Sequence, residues 1–529
     1  MEKINNINNI PVEKFRFANK SDLSHDSKFD TKPVSYFEGA FRRFCKNKGA
    51  IVGGIVIAIL VLFAIIAPIF TPFTPRYYDQ VYAYASPRWK IFEGTNILDG
   101  CREKNNVGYI EYFKDYALGL ETGREVIKNG EYEVSEDGQN YTYRYDTYFG
   151  NGFGVYKTIS IEEYEAIQRY QDETGRQVLY PTVALRDRPE ATQDKYNANY
   201  YYKTKKVKGK TRPVTDENGD PIPVYWTYDE SYVSPLIAEY NSLRIEGENG
   251  FVDEKDGKTK YYAYGRLVDG GVEVRAEYYE YYIYQHTQVL KDGITEPNFI
   301  FGTTGTGKDI FACLAYGARF SFVFATLVAV VNFIVGIIYG SIAGYFGGKV
   351  DLFMERFSEI LGSVPSMIVI TLLKYHMGSS SQALVLFIAF FVTGWISMAG
   401  TTRMQFYRFK NQEYVLAART LGAKDWRVMF KHIFPNGLGT IVTSMALVIP
   451  AMIYSETNLS YLGIINLEAG NTTSVGTLIS AGQSSIIIPG AAYVAAFPCL
   501  FLVLLMLSFN LFGNGLRDAF NPSLRGSED

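Results

Sequence analysis

Cysteine and histidine are scarce in this chain, with four of each among 529 residues. Cys45, Cys101, Cys313 and Cys499 lie far apart, as do His25, His286, His376 and His432, so neither a disulfide framework nor a zinc-ligand spacing is present. Metal catalysis therefore finds no support in these spacings. Lys and Arg are missing altogether from Asn436 to Leu516, although the chain carries 52 of them against 55 Asp and Glu, for a formal net charge of -3. A further lack is a single hydroxyl. The stretch GTTGTGKD, Gly302 to Asp309, spells Gly-x-x-x-x-Gly-Lys, but Asp309 stands where a phosphate loop needs Ser or Thr for Mg²⁺. Its carboxylate would meet the phosphates with like charge, and the residues that follow run into a long apolar segment. With no complete phosphate loop, the chain is expected to hold no nucleotide itself, and in the segment 71–297 no nucleophile or general acid/base pair can be picked out by spacing.

What the chain has in abundance is oily text. Mean hydropathy is close to zero, but that average joins an aqueous part to an apolar one. From Gly49 to Phe70 no charge occurs, and about 20 such residues suffice to cross a bilayer as a helix. The 48 mostly polar residues before it set it apart from a cleaved signal peptide, so it is read as a retained first span. Five more spans are expected at 320–346, 358–377, 383–402, 437–454 and 490–512, the one at 358–377 carrying Pro365 and Lys374. Six spans place both termini on one side. Ten Lys and Arg lie between Met1 and Lys48 and seven between Arg403 and Lys431, so the N-terminal segment (1–48), the 403–436 loop and the tail (513–529) are expected in the cytoplasm. The polar segment 71–297 is then expected outside.

That segment holds 32 of the 42 tyrosines. They often alternate with polar residues, as in YTYRYDTYF from Tyr141 and EYYEYYIY from Glu277, a pattern suited to half-buried strands. Glu217-Asn218-Gly219-Asp220-Pro221, Asp256-Gly257 and Asp269-Gly270-Gly271 read as turns. A helix is expected over Ile159 to Glu173, capped by Ser160. The segment is thus expected to form a strand-rich α+β domain with its own core. Its tyrosines suit either a protein- or sugar-binding surface or simply sheet and core packing. The basic run KTKKVKGK from Lys203 to Lys210 reads as a solvated hairpin or loop, not a nucleic-acid site.

The most informative stretch is Glu413 to Asn436, EYVLAARTLGAKDWRVMFKHIFPN. Tyr414 to Leu421 reads as a short helix with Ala417 and Ala418 side by side, broken by Gly422, then a basic amphipathic turn ending at Pro435. Small side chains admit another surface closely and a glycine allows a tight reversal, which suits docking into a soluble partner's groove. An ordinary basic loop is the plainer alternative. In the second span, Gly336, Gly340 and Gly344 recur every fourth residue and mark a face for close helix packing. Glu456, a carboxylate near the outer end of its span, fits either an interhelical hydrogen bond or a place on the substrate path.

Here the chain resembles the permease subunits of ATP-binding-cassette importers. Ala417, Ala418, Gly422 and Pro435 match the family's Glu-Ala-Ala, three residues, Gly signature and its later Pro, and Glu413, Tyr414, Arg419 and Ala423 complete a YVxAARxLGA stretch similar to the oligopeptide and dipeptide branch. Leu416, His432 and Phe434 depart from the usual Glu, Ile and Leu. GTTGTGKD resembles that branch's lead into the second span, Gly-Thr-Asp-x-x-Gly-Arg-Asp and then Tyr-Gly-Ala-Arg: Gly302, Thr303, Gly307, Asp309, Tyr316, Gly317, Ala318 and Arg319 match, and Thr304 and Lys308 differ. FRRFCKNKGA from Phe41, TPFTP from Thr71, ETNLSYLG from Glu456, and LRD followed by NPSLR near the end are also similar. Val475-Gly476 stands where the family has Trp-Gly.

The resemblance implies an α-helical polytopic membrane protein of the type I importer kind, with six transmembrane helices and a strand-rich α+β extracellular domain inserted after the first. It implies a non-catalytic pore half with no cofactor of its own. ATP and Mg²⁺ would sit on two partner ATPases, beside a sister permease and an extracellular substrate-binding lipoprotein, with peptide as cargo and membrane lipid around the core. Asp309 would cap or anchor the next helix. A metal chelate or a sugar is the alternative cargo, and a receptor or adhesin using the Tyr-rich domain is the alternative class. The resemblance covers about Tyr36 to Pro75 and Asn298 to Arg525 and leaves the insert unexplained.

Overall fold

The structure is a computed structural model that describes residues 36–520, apart from 93, 137, 153–154, 183–202, 208–209, 218–221, 223–224, 226, 230–249, 253–256, 378–380 and 468–472. The turn expected at Glu217 to Pro221, part of the KTKKVKGK run, and the NPSLR match at the end therefore lie wholly or partly outside the described residues.

Helices α1 (Tyr36–Lys46) and α2 (Lys48–Phe70) meet at Asn47, whose side chain accepts the Ala50 N–H at 3.2 Å and restarts the helix. Strands β1 (Cys101–Gly108), β2 (Ile127–Val134) and β3 (Asn140–Asp146) form an antiparallel sheet in the order β1-β3-β2, covered by α3 (Tyr109–Thr122). Alternation works here as expected. Tyr143 and Tyr145 share one face of β3 and are buried against Phe113 and Leu118, with Tyr141 packed beside them. Next come β4 (Val155–Ile159), α4 (Ile161–Thr174) and β5 (Leu179–Tyr180). Ser160 caps α4 by accepting the Glu163 N–H at 3.1 Å.

The basic run supplies the hairpin β6 (Thr204–Val207) and β7 (Lys210–Pro213). Strands β8 (Thr227–Asp229), β9 (Gly250–Val252) and β10 (Thr259–Tyr262) form a small sheet in the order β8-β10-β9, while β11 (Gly265–Val268) and β12 (Gly271–Ala276) turn at Gly270 and pair onward to β4 and β5.

EYYEYYIY does not continue the sheet as its alternation suggested. It is a helix, α5 (Tyr278–Tyr284), because Glu277 caps it with a carboxylate that accepts the N–H groups of Tyr279 (3.2 Å) and Glu280 (2.8 Å). The tyrosines come in pairs, which fits a helix with two buried faces. Tyr281 and Tyr284 pack on β4 and β12, and Tyr279, Tyr282 and Ile283 pack on Tyr82, Tyr148 and Phe299. Ala312, in the next helix, belongs to the second cluster, so the insert is seated on the membrane core.

The remaining helices are α6 (Ile310–Phe346), α7 (Gly348–Gly362), α8 (Ser366–His376), α9 (Gln382–Phe409), α10 (Glu413–Thr420), α11 (Phe434–Tyr461), α12 (Val475–Gln483) and α13 (Tyr493–Phe520). Among the described residues, five helices are long and apolar enough to cross a bilayer, and the pair α7 and α8 makes a sixth crossing if taken as one span. That pair corrects the expected 358–377 span. It begins ten residues earlier and bends by 70° at residues 363–365. Pro365 has no N–H for helix bonding and pushes Val364 out of the helical region, so the helix breaks there.

Apolar windows find the middles of the other spans but not their ends. The expected 437–454 span is part of a helix running from Asp425 to Tyr461. Pro435 does not end a turn, as expected, but lies inside that helix at the junction where a π-helical stretch at Val428–Ile433 passes into α11.

Helices α6 and α9 meet along the glycine stripe. A Cβ on Gly336 would lie 2.7 Å from Met398 Cβ, one on Gly340 would press into the Ala399 carbonyl, and one on Gly344 would lie 2.8 Å from the Arg403 carbonyl. The backbones are therefore in contact, as small-residue stripes permit in a membrane. At the end shared by the termini, the Arg43 guanidinium donates to the Ala519 carbonyl at 2.9 and 3.1 Å, fastening α1 to α13.

Candidate coupling surface

The one buried residue of helix α10 is Val415. Val415 is buried among Tyr345, Phe406, Val428, Met429 and Ile433, while its neighbours Glu413, Tyr414, Leu416 and Ala417 face outward. Ala418 and Ala423 are half-buried, and Arg419 and Pro435 are exposed. Gly422 has φ +79°, a conformation that favours glycine, and a Cβ there would meet nothing within 4 Å. Its role is to reverse the chain with open space above.

Two residues that spacing did not single out dominate this surface. Leu421 is 89% exposed and Trp426 is 65% exposed, flanking the Ala417–Gly422 face with large apolar groups that the chain itself leaves uncovered. Their signal was present as apolar letters in a basic loop, but the loop alone did not say which side they take.

The surface rests on a firm base. Tyr345, in the last turn of α6, donates its hydroxyl to Asp425 Oδ1 at 2.5 Å, and the Arg419 guanidinium lies 4.8 Å from the centre of the same ring. Arg403, near the end of α9, grips Asp351 through Nε (2.6 Å) and Nη2 (2.7 Å) and Glu355 at 2.8 Å, tying α9 to α7.

GTTGTGKD is a tight turn rather than a phosphate cradle, because its backbone groups are spent on the protein. The Thr303 N–H donates to Ala85 O (3.0 Å), the Thr304 N–H to Lys308 O (2.9 Å), the Gly307 N–H to Thr304 O (2.9 Å) and the Ile310 N–H to Gly302 O (3.0 Å). The Asp79 N–H in turn donates to Gly307 O at 3.0 Å, and Gly302 and Gly307 both have φ +74°. Asp309 caps α6 by accepting the Ala312 N–H at 2.9 Å, and burial pushes its carboxyl up to about 7. Gly317 lies against the Ser474 and Val475 backbone, while Arg319 is exposed.

Glu456 is buried and accepts hydrogen bonds from Ser474 (2.7 Å), Ser460 (3.0 Å) and Ser321 (3.3 Å). It joins α11 and α6 to the cap of α12, the interhelical alternative of the two. Gly476 packs beside it, since a Cβ there would lie 2.7 Å from Thr457 Cα and 3.0 Å from the carboxylate, so the Gly of the Val-Gly pair has a packing reason of its own. The structure brings Glu456, Gly317 and Gly476 together and keeps them apart from the α10 loop.

An apolar helical core with five crossings, or six if α7 and α8 form one, and an outward-facing short helix between two of them define a polytopic membrane protein. Comparison with known proteins agrees. A family model described as the binding-protein-dependent transport system inner membrane component matches residues 336–526, and one described as the N-terminal TM domain of oligopeptide transport permease C matches 35–87. The dipeptide transport system permease protein DppC of Bacillus subtilis (strain 168) is 39% identical over 243 residues, which cover 45% of this chain and 74% of that protein. The oligopeptide transport system permease protein OppC of the same organism is 41% identical over 248 residues, covering 46% and 78%. OppC of Escherichia coli (strain K12) is 37% identical over 230 residues, covering 44% and 74%. The chain belongs to this family, the permease subunits of ATP-binding-cassette transporters. Residues 88–335 lie outside both matched ranges.

Proposed function

We propose that this permease forms half of the pore of an importer for oligopeptides or dipeptides and draws its power from separate ATPases. The observation that carries the reading is the surface of Ala417, Leu421, Gly422 and Trp426, which is apolar, close-approachable and anchored to the span ends by Val415 and Tyr345. A docked partner moving that surface moves the spans with it. The sister permease supplies the other half of the pore, two ATP-binding subunits hold ATP and Mg²⁺, and a surface-tethered lipoprotein delivers the peptide. ATP closure of the ATPase pair then switches the spans between two arrangements, a rigid-body change biased by a ligand. Peptide as cargo is supported by the relatives, a dipeptide and an oligopeptide transport permease.

The distribution of Lys and Arg supports a cytoplasmic position for the termini and the α10 loop. The insert is then extracellular, standing where a delivering protein must land, and its role is to dock or position that protein. The test is to tag the chain at its C-terminus, purify it in mild detergent and identify stoichiometric companions by mass spectrometry. Two ATPase chains, a second permease and a lipoprotein are expected. Recovery of the chain alone, under conditions in which a known importer stays intact, would overturn the reading. Growth on peptides as the sole amino-acid source separates peptide cargo from a metal chelate or sugar.

A further inference from the structure

We infer that Tyr345 is the strut that carries movement of the coupling surface into the membrane core. This inference rests on the docking reading above. Apart from Val415 in its socket, the polar fastening of the 413–427 segment to α6 runs through one ring: its hydroxyl donates to Asp425 beyond the Gly422 reversal, and its face carries the Arg419 guanidinium from α10. The two arms of the loop thus meet on a single side chain.

Tyr345 follows Gly344, where α6 touches the backbone of α9. With Gly340 and Gly336 also in contact, α6 and α9 move as one body, and Tyr339 adds α7 by donating to the Met354 carbonyl at 2.6 Å. A 37-residue helix is about 55 Å long. Its far end is capped by Asp309 and packed through Ala312 into the base of the insert. A push on Tyr345 therefore reaches the opposite face through a stiff rod. Val415 packs without direction, whereas the Tyr345 hydroxyl fixes both the distance and the angle to Asp425, so it is the positioning residue.

The test uses the whole transporter in proteoliposomes and reads peptide moved per ATP hydrolysed. Tyr345→Phe keeps the ring beneath the Arg419 guanidinium and removes the hydroxyl that reaches Asp425 and Arg419, and Asp425→Asn weakens the Asp425 bond alone from an exposed position. Each is expected to lower the ratio by about tenfold, the effect of one charge-assisted hydrogen bond, with both ATPases still bound and hydrolysis within about twofold of the parent. The double variant should lose no more than either single one. A parental ratio in either single variant, or losses that multiply in the double one, would overturn the assignment. So would a Tyr345→Phe subunit that fails to assemble while Asp425→Asn couples normally. Gly422→Arg tests the reading beneath and is expected to lose the ATPases on purification. If it keeps them and imports peptide, the docking reading fails; if only the Tyr345 and Asp425 variants are silent, the strut alone fails.

Discussion

The membrane core and the insert solve the same packing problem with opposite side chains. In the core, α6 and α9 touch through Gly336, Gly340 and Gly344, and Gly53 of α2 brings that helix against the Ser508 and Phe512 backbone of α13. In the insert, the largest common residue does the filling: Tyr112 and Tyr141 stack with ring centres 4.3 Å apart, and Tyr82, Tyr148 and Tyr164 are wholly buried. The solvent explains the difference. Lipid tails are as apolar as leucine, so spans gain by backbone approach and by a few polar ties such as Glu456 with its serines. In water, each buried tyrosine removes a large apolar area, and its hydroxyl can still find a partner, as those of Tyr148 (to the Ser86 carbonyl, 2.9 Å) and Tyr143 (to Asp115, 2.7 Å) do. Charge follows the same division. The insert buries ion pairs, among them Lys104 with Asp115 at 2.6 Å and Arg275 with Glu121, whereas the core keeps its Arg403 clamp at the end of a span.

If the comparison holds, the largest effect comes from giving the glycine seam a side chain. Gly340→Val has no room beside Ala399 and Thr402, and because backbone cannot yield as a side chain can, membrane levels of the subunit should fall by about tenfold or more. Immunoblotting of membranes checks this, and near-normal levels would break the account of the seam. Next comes Lys104→Met, which strips the buried Asp115 of its cation and leaves it the Tyr143 hydroxyl at 2.7 Å. The expected cost is about 3–5 kcal/mol, seen as lost hydrogen-exchange protection over 101–146 with α6 and α9 unchanged. Equal loss in the core would show that the two regions are not separable.

A smaller effect should follow pH. Burial pushes the Glu277 carboxyl from 4.5 up to about 7, against the opposing influence of Arg124 and its two N–H donors. The folded insert then holds a proton that the unfolded chain releases above about 4.5. Its contribution is complete below that pH, is lost as pH rises towards 7 and is flat beyond, at most roughly 3 kcal/mol. Exchange protection of the α5 amides in the full-length protein should accordingly be greater at pH 5 than at pH 8. Glu277→Gln should flatten the dependence, and a slope unchanged by that substitution would assign it elsewhere.

Sequence showed the spans well because twenty apolar letters admit few readings, and it showed the helix cap at Ser160 and the turn at Gly270 because those are local. It misled wherever a neighbour distant in sequence decides. The alternation of EYYEYYIY was overridden by the Glu277 cap and by two separate cores. Pro365 marked a break that hydropathy smoothed over, and Pro435 was absorbed into the start of a longer helix. At the coupling surface, Ala417, Ala418 and Gly422 could be read from spacing, but Tyr345 lies 80 residues from Asp425 and nothing local announces their bond. Glu456 showed the same limit: its carboxylate was visible and Ser460 lies one turn along its own helix, but Ser474 and Ser321 come from other elements.

The claim that most needs testing is that the Ala417–Trp426 surface is where the ATPases push. The direct measurement places a photo-crosslinking residue at Leu421 and irradiates membranes that are importing peptide. The account predicts one covalent adduct, with an ATP-binding subunit. Adducts with lipid alone, or no adduct with any soluble chain while import proceeds, would contradict it.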